Sequence, residues 1–131
     1  MSQSNPNQVH SFLAGDTLAA FRIVAVGTTK YTVDVWETST SAPIGITADS
    51  ADSGASIAVI LSGTSKVRAG ANITCGDVLA PLTAGSGVVT PQATHNTSTS
   101  EVAPCVGIAL ESFSIGADGE MLIQICNQVL R

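Results

Sequence analysis

Ile44-Gly45-Ile46 followed by Ser56-Ile57-Ala58-Val59-Ile60, and Val106-Gly107-Ile108 followed by Glu120-Met121-Leu122-Ile123-Gln124, decide the fold. Each unit is a short strand with glycine between two β-branched residues, a connection containing Asp and Gly, and a second apolar strand. A glycine in that place removes a side chain from one sheet face, as a close backbone crossing requires. Two such units predict a small barrel or sandwich with pseudo-symmetry; chance likeness of glycine-rich β sequence is the competing explanation.

Working outward, the rest of the chain also reads as short strands. Phe21, Ile23 and Ala25 alternate with Arg22 and Val24 up to Gly27, and Tyr31, Val33 and Val35 alternate with Thr32, Asp34 and Trp36. Ser56 to Leu61 is apolar at almost every position, which predicts a central strand covered on both faces. Lys66-Val67-Arg68 reads as a short strand facing solvent, and Cys75-Gly76-Asp77 as the turn into Val78 and Leu79. Residues 91–101 form the longest polar segment, a surface loop. No segment holds a helical period over eleven residues, and Thr47 to Ser53 offers one helical turn at most. Residues 1–15 show no sustained period and are read as an N-terminal arm, with 16–131 as one β-barrel domain. The arm's Val9, Phe12 and Leu13 suggest that it orders against a partner.

Composition narrows the function classes. The 131 residues suit one domain with a real core: 44% are apolar but only 11% are charged. A surface of hydroxyls, amides and backbone suits packing against neighbours. Net charge is −5, and the cations are Arg22, Lys30, Lys66, Arg68 and Arg131. Five scattered cations make no basic face for nucleic acid or for anionic lipid, so neither is an expected partner. The first seven residues lack the apolar core of a signal peptide. Without one, the sequons at Asn72 and Asn96 are read as chance, and synthesis and folding as cytoplasmic. Cys75, Cys105 and Cys126 are an odd count without framework spacing, read as buried reduced thiols.

The motifs of chemistry are missing from the sequence. No G-x-S-x-G elbow surrounds Ser56 or Ser86. His10 and His95 stand in polar settings with no partner to tune them as bases. Asp49 with Asp52, or Asp118 with Glu120, falls short of a calcium loop, and no zinc spacing or phosphate-binding glycine motif occurs. Phe21, Tyr31 and Trp36 read as core aromatics. No enzyme, metal or cofactor is expected.

From residue 44 the signals run in a recognisable order: Ile44-Gly45-Ile46, Ser56 to Gly63, Val67 to Gly70, Ile73, Gly76-Asp77, Gly87-Val88-Val89, Val106 to Leu110, and Gly119 to Ile125. This series resembles the tailed-phage capsid cement family of small decoration proteins. The resemblance covers about two-thirds of the chain and is loose before residue 40. It implies an all-β fold, a compact β-barrel or β-tulip with little or no helix. It also implies a homotrimer on the outer surface of the mature head, stabilising it by bridging capsomers, with the major capsid protein and its own copies as partners. The family pattern carries no catalytic residues. Asn5, Pro6, Val9, His10, Phe12 and Leu13 in the arm are the candidate capsid contacts. A tail, fibre or adhesin-like module is the alternative. A carrier-type barrel is a weaker one, since Lys66 lacks the flanks of a modified lysine.

Overall fold

The computed structural model describes residues 6–36, 42–82, 87–91, 101–102, 105–126 and 129–130, which contain strands and turns but no helix. The strands are β1 (Pro6–Ala14), β2 (Ile23–Val26), β3 (Thr32–Val35), β4 (Pro43–Thr47), β5 (Ser56–Arg68), β6 (Val78–Pro81), β7 (Val89–Pro91), β8 (Glu101–Val102), β9 (Cys105–Ala109), β10 (Asp118–Cys126) and β11 (Val129–Leu130). One sheet runs β1-β3-β2-β4-β5-β10-β9-β6-β7, and a further β1–β5 pairing closes its first five strands into a barrel. The far end of the sheet curls back too, since Val89 of β7 bridges Ala69 just beyond β5. Strands β8 and β11 form a separate ribbon.

The two lobes therefore share β5, and alternation along the strands feeds two cores. Val24, Val33, Ile57 and Val59 fill the closed barrel. Ile23, Ala25, Trp36, Ile46 and Ile60 point the other way and meet Val67, Leu79, Val89, Val106 and Met121 of the second lobe. That is why β2 opens Ile-Val-Ala with no polar position: both of its faces are buried there, up to the exposed Val26. Along β5 the residues facing the large core change parity, from Ile60 to Val67. Gly63 lies between them with φ of 98°, the left-handed backbone that resets the alternation.

The expected close crossings are present in both units. A Cβ on Gly45 would lie 2.5 Å from the Ile60 carbonyl oxygen, and one on Gly107 would collide with the Leu122 carbonyl oxygen.

Four equivalent corners connect the strands, more than the two units visible in the sequence. They start at Ala14, Thr47, Ala69 and Ala109 and reach a left-handed residue at Phe21, Gly54, Gly76 and Gly116. They interlock in pairs. Leu18 and Ala51 exchange backbone hydrogen bonds of 2.8 and 2.9 Å, and Ile73 and Phe113 exchange bonds of 2.8 and 3.1 Å. Each left-handed N–H donates to the first residue of its partner corner: Phe21 to Thr47, Gly54 to Ala14, Gly76 to Ala109, and Gly116 to Ala69. Thr47 to Ser53, considered for a helical turn, belongs to one of these corners.

Residues 6–14, read from the sequence as part of an N-terminal arm (1–15) that orders against a partner, form barrel strand β1 of the chain's own sheet. It pairs antiparallel with β5, from Leu13 opposite Ser56 to Pro6 opposite Gly63, and parallel with β3 through Leu13 and Ala14. Backbone pairing on both edges orders it, although its side chains lack a sustained period. Most of the 91–101 loop lies outside the described residues.

Candidate partner-binding surface

On a folded surface the informative exposed side chains are the large apolar ones, which mark contact sites. Those on the first lobe gather at the Ser56 end of β5. Leu13 is 45% exposed at the end of β1, and its N–H donates to the Tyr31 carbonyl at 2.8 Å. Tyr31 is 62% exposed, with Lys30 Nζ 5.2 Å from its ring centroid. Val26, 65% exposed, ends β2 opposite Val33, which is the neighbour of Thr32 across from Leu13. Val9 adds an exposed side chain further along β1.

A second group lies at the other end of β5. Ile115, 66% exposed, precedes Gly116, whose N–H donates to the Ala69 carbonyl just after that strand. Leu110 is exposed on the interlocked corners, where the Cys75 thiol approaches its carbonyl at 3.5 Å, and Val78 is exposed at the start of β6. A strand of thirteen residues extends about 40 Å at roughly 3.3 Å per residue, so two apolar ends flank one long strand.

Of the six arm residues singled out from sequence, Val9, His10 and Leu13 are exposed on β1. Phe12 instead packs against the barrel core, and its ring meets His10 edge-on at 4.9 Å between centroids. Pro6 opens β1, and Asn5 lies outside the described residues. The sequence reading missed Val26, Tyr31, Leu110 and Ile115. Ile115 had a usable signal, as an apolar residue inside a Ser/Gly turn. The aromatic trio also divides. Trp36 is core, whereas Tyr31 is exposed and Phe21 half-buried, both left-handed with φ of 61° and 62°. Nor are the thiols uniformly buried: Cys75 is exposed and Cys105 half-buried, while the Cys126 side chain lies outside the described residues.

Polar features complete the surface. Arg68 grips Asp118 with both ends of its guanidinium, Nε to Oδ1 at 2.5 Å and Nη2 to Oδ2 at 3.3 Å. That hydrogen bond holds the Arg68 pKa above its ordinary value. Burial, then the charge of Arg68, lowers that of Arg22, with Asp118 opposing. Lys66 lies within β5, paired opposite Glu120, and not at a hairpin tip where a carrier lysine would stand. Among the described residues no group of three His, Cys, Asp or Glu is placed to hold a metal.

The fold defines a class, a two-lobed β-barrel that presents surfaces. A solved structure shares it: the N base of the head fibre protein gp8.5 of bacteriophage phi29 matches with a TM-score of 0.66, at 21% identity, over 89% of this chain and 93% of that one. No curated protein matches the chain in sequence. The family model for phage cement proteins matches residues 2–125, and the chain belongs to that family of phage structural proteins.

Proposed function

We propose that this protein is a non-catalytic decoration protein that binds the outer surface of a phage capsid as a homotrimer and stabilises the mature head by bridging capsomers. The observation that carries the reading is the pair of exposed apolar ends on β5, Leu13–Val26–Tyr31 at one and Val78–Leu110–Ile115 at the other. A bridging protein needs two contact surfaces with a rigid spacer between them. Oligomeric attachment multiplies modest contacts into high effective affinity, and contacts available only on the expanded shell stabilise that state by mass action. The likeness to a head-fibre base favours a second reading, in which the barrel anchors a fibre to the head.

Stripped heads of the encoding phage, re-decorated with purified protein, test the proposal. Wild type should bind in a fixed ratio to the major capsid protein and raise the temperature at which the shell opens. Tyr31→Ala with Leu13→Ser, or Leu110→Ser with Ile115→Ser, should leave the chain folded but remove the shell's thermal protection. Protection undiminished by either pair would sink the bridging idea, and a few copies per particle would favour the fibre base.

A further inference from the structure

Three of the four corners place glycine at the left-handed position, and nothing lies within 4 Å of a Cβ built there on Gly54, Gly76 or Gly116. The fourth holds Phe21, in a backbone region where a side chain crowds the following carbonyl and is disfavoured. The next residue differs as well: Arg22 stands where the other corners have Ala55, Asp77 and Ala117.

Thr47 holds this corner in place. Its carbonyl accepts from Phe21 N–H at 2.8 Å, its N–H donates to the Arg22 carbonyl at 2.9 Å, and its Oγ1 accepts from Arg22 N–H at 3.0 Å and donates to the Ala19 carbonyl at 2.7 Å. Arg68 N–H donates to the Phe21 carbonyl at 3.0 Å. These are backbone bonds and the bonds of Thr47, and a glycine at position 21 would keep all of them. The strain is therefore not needed to build the corner, and persistent strain of this kind gathers at functional positions.

The charges converge on the same place. Asp118 has both oxygens bonded by Arg68, while the Arg22 guanidinium, among described residues, donates from Nη1 to the Ala20 carbonyl at 2.7 Å. Lys66 and Arg68 lie two apart on β5, so they share its outer face. Arg22 thus lies within reach of the Arg68 and Asp118 charges, with Lys66 two residues along β5 opposite Glu120, in a protein of net charge −5. We infer that Phe21 and Arg22 form a recognition site for an acidic segment of a partner protein, with a carboxylate against Arg22 and an apolar side chain against Phe21. The inference deepens the decoration reading and rests on it only for the partner's identity.

A titration of the full chain with hexaglutamate, followed by NMR, tests the site without any capsid. Shifts should appear at the Phe21 and Arg22 amides and the Arg22 Nε–H, fade with added salt, and disappear in Arg22→Gln. Shifts that fall elsewhere, survive Arg22→Gln, or never appear overturn the inference. Thermal unfolding of Phe21→Gly separates strain from packing: a raised midpoint supports a residue kept for recognition, and a lowered one overturns that. On stripped heads, Arg22→Gln should lose about thirty-fold in affinity, the loss that marks a hot-spot contact. Wild type failing to bind those heads while hexaglutamate still shifts Arg22 would defeat the decoration reading and leave the site standing.

Discussion

A side chain at position 45 or 107 would meet backbone. The obstacle is a carbonyl oxygen in each case, Ile60 for Gly45 and Leu122 for Gly107, and a carbonyl within a sheet cannot step aside as a flexible side chain can. Gly45→Ala and Gly107→Ala should each cost about 1–3 kcal/mol, the usual penalty of overpacking, read from the midpoint of urea unfolding. Gly76→Ala meets open space, so its cost should be only the left-handed backbone, about 1–2 kcal/mol. These glycines differ in how far they could be read. Gly45 and Gly107 announce themselves because β-branched neighbours on both sides leave no turn to explain them. The corner glycines escaped as a set because Phe21 breaks the series and Thr47 replaces the alanine that starts the other three. A spaced pattern was present, Ala14-Gly15 with Leu18 and Ala69-Gly70 with Ile73, but corners are defined by backbone exchange that side-chain periodicity does not record.

At the level of strands, β1 was the hardest to foresee. Its Phe12 and Ala14 face the core, but Leu13 and Val9 on the opposite parity are also apolar and exposed, so no alternation survives in the sequence. Its place is fixed by two neighbours distant in sequence. Removing residues 6–14 should therefore open the barrel and abolish cooperative thermal unfolding by circular dichroism, whereas loss of a free arm would leave the transition unchanged. Strand β5 was legible as an apolar centre and as a separate Lys-Val-Arg strand, yet the structure runs them together. Gly63 hid the connection, because a left-handed residue inside a strand looks like a turn. Gly63→Ala should destabilise by about 1–2 kcal/mol, the left-handed penalty, measured by urea unfolding.

Across the whole molecule, the all-β class was readable from alternation and glycine spacing. The division into two lobes was not, since a short strand does not reveal which of two cores each face serves. Trp36 makes that division testable. It is 1% exposed within the core built from both lobes, so its fluorescence should change at the same temperature as far-ultraviolet circular dichroism. An earlier fluorescence transition would mean that the lobes part before they unfold. Arg68–Asp118 contributes little to this unity: both side chains are partly exposed, and pairs of this kind are worth roughly 0.2–1 kcal/mol and weaken with salt. The stronger link is β5 itself, and it has a mechanical consequence. Sheet hydrogen bonds run across the strands. A pull between the two ends of the molecule runs along β5, so it loads its bonds to β1, β4 and β10 in shear, many at a time. A peeling force would break them one by one. Built this way, the chain is stiff along the axis that joins its two apolar ends, and it yields first to forces that twist or peel.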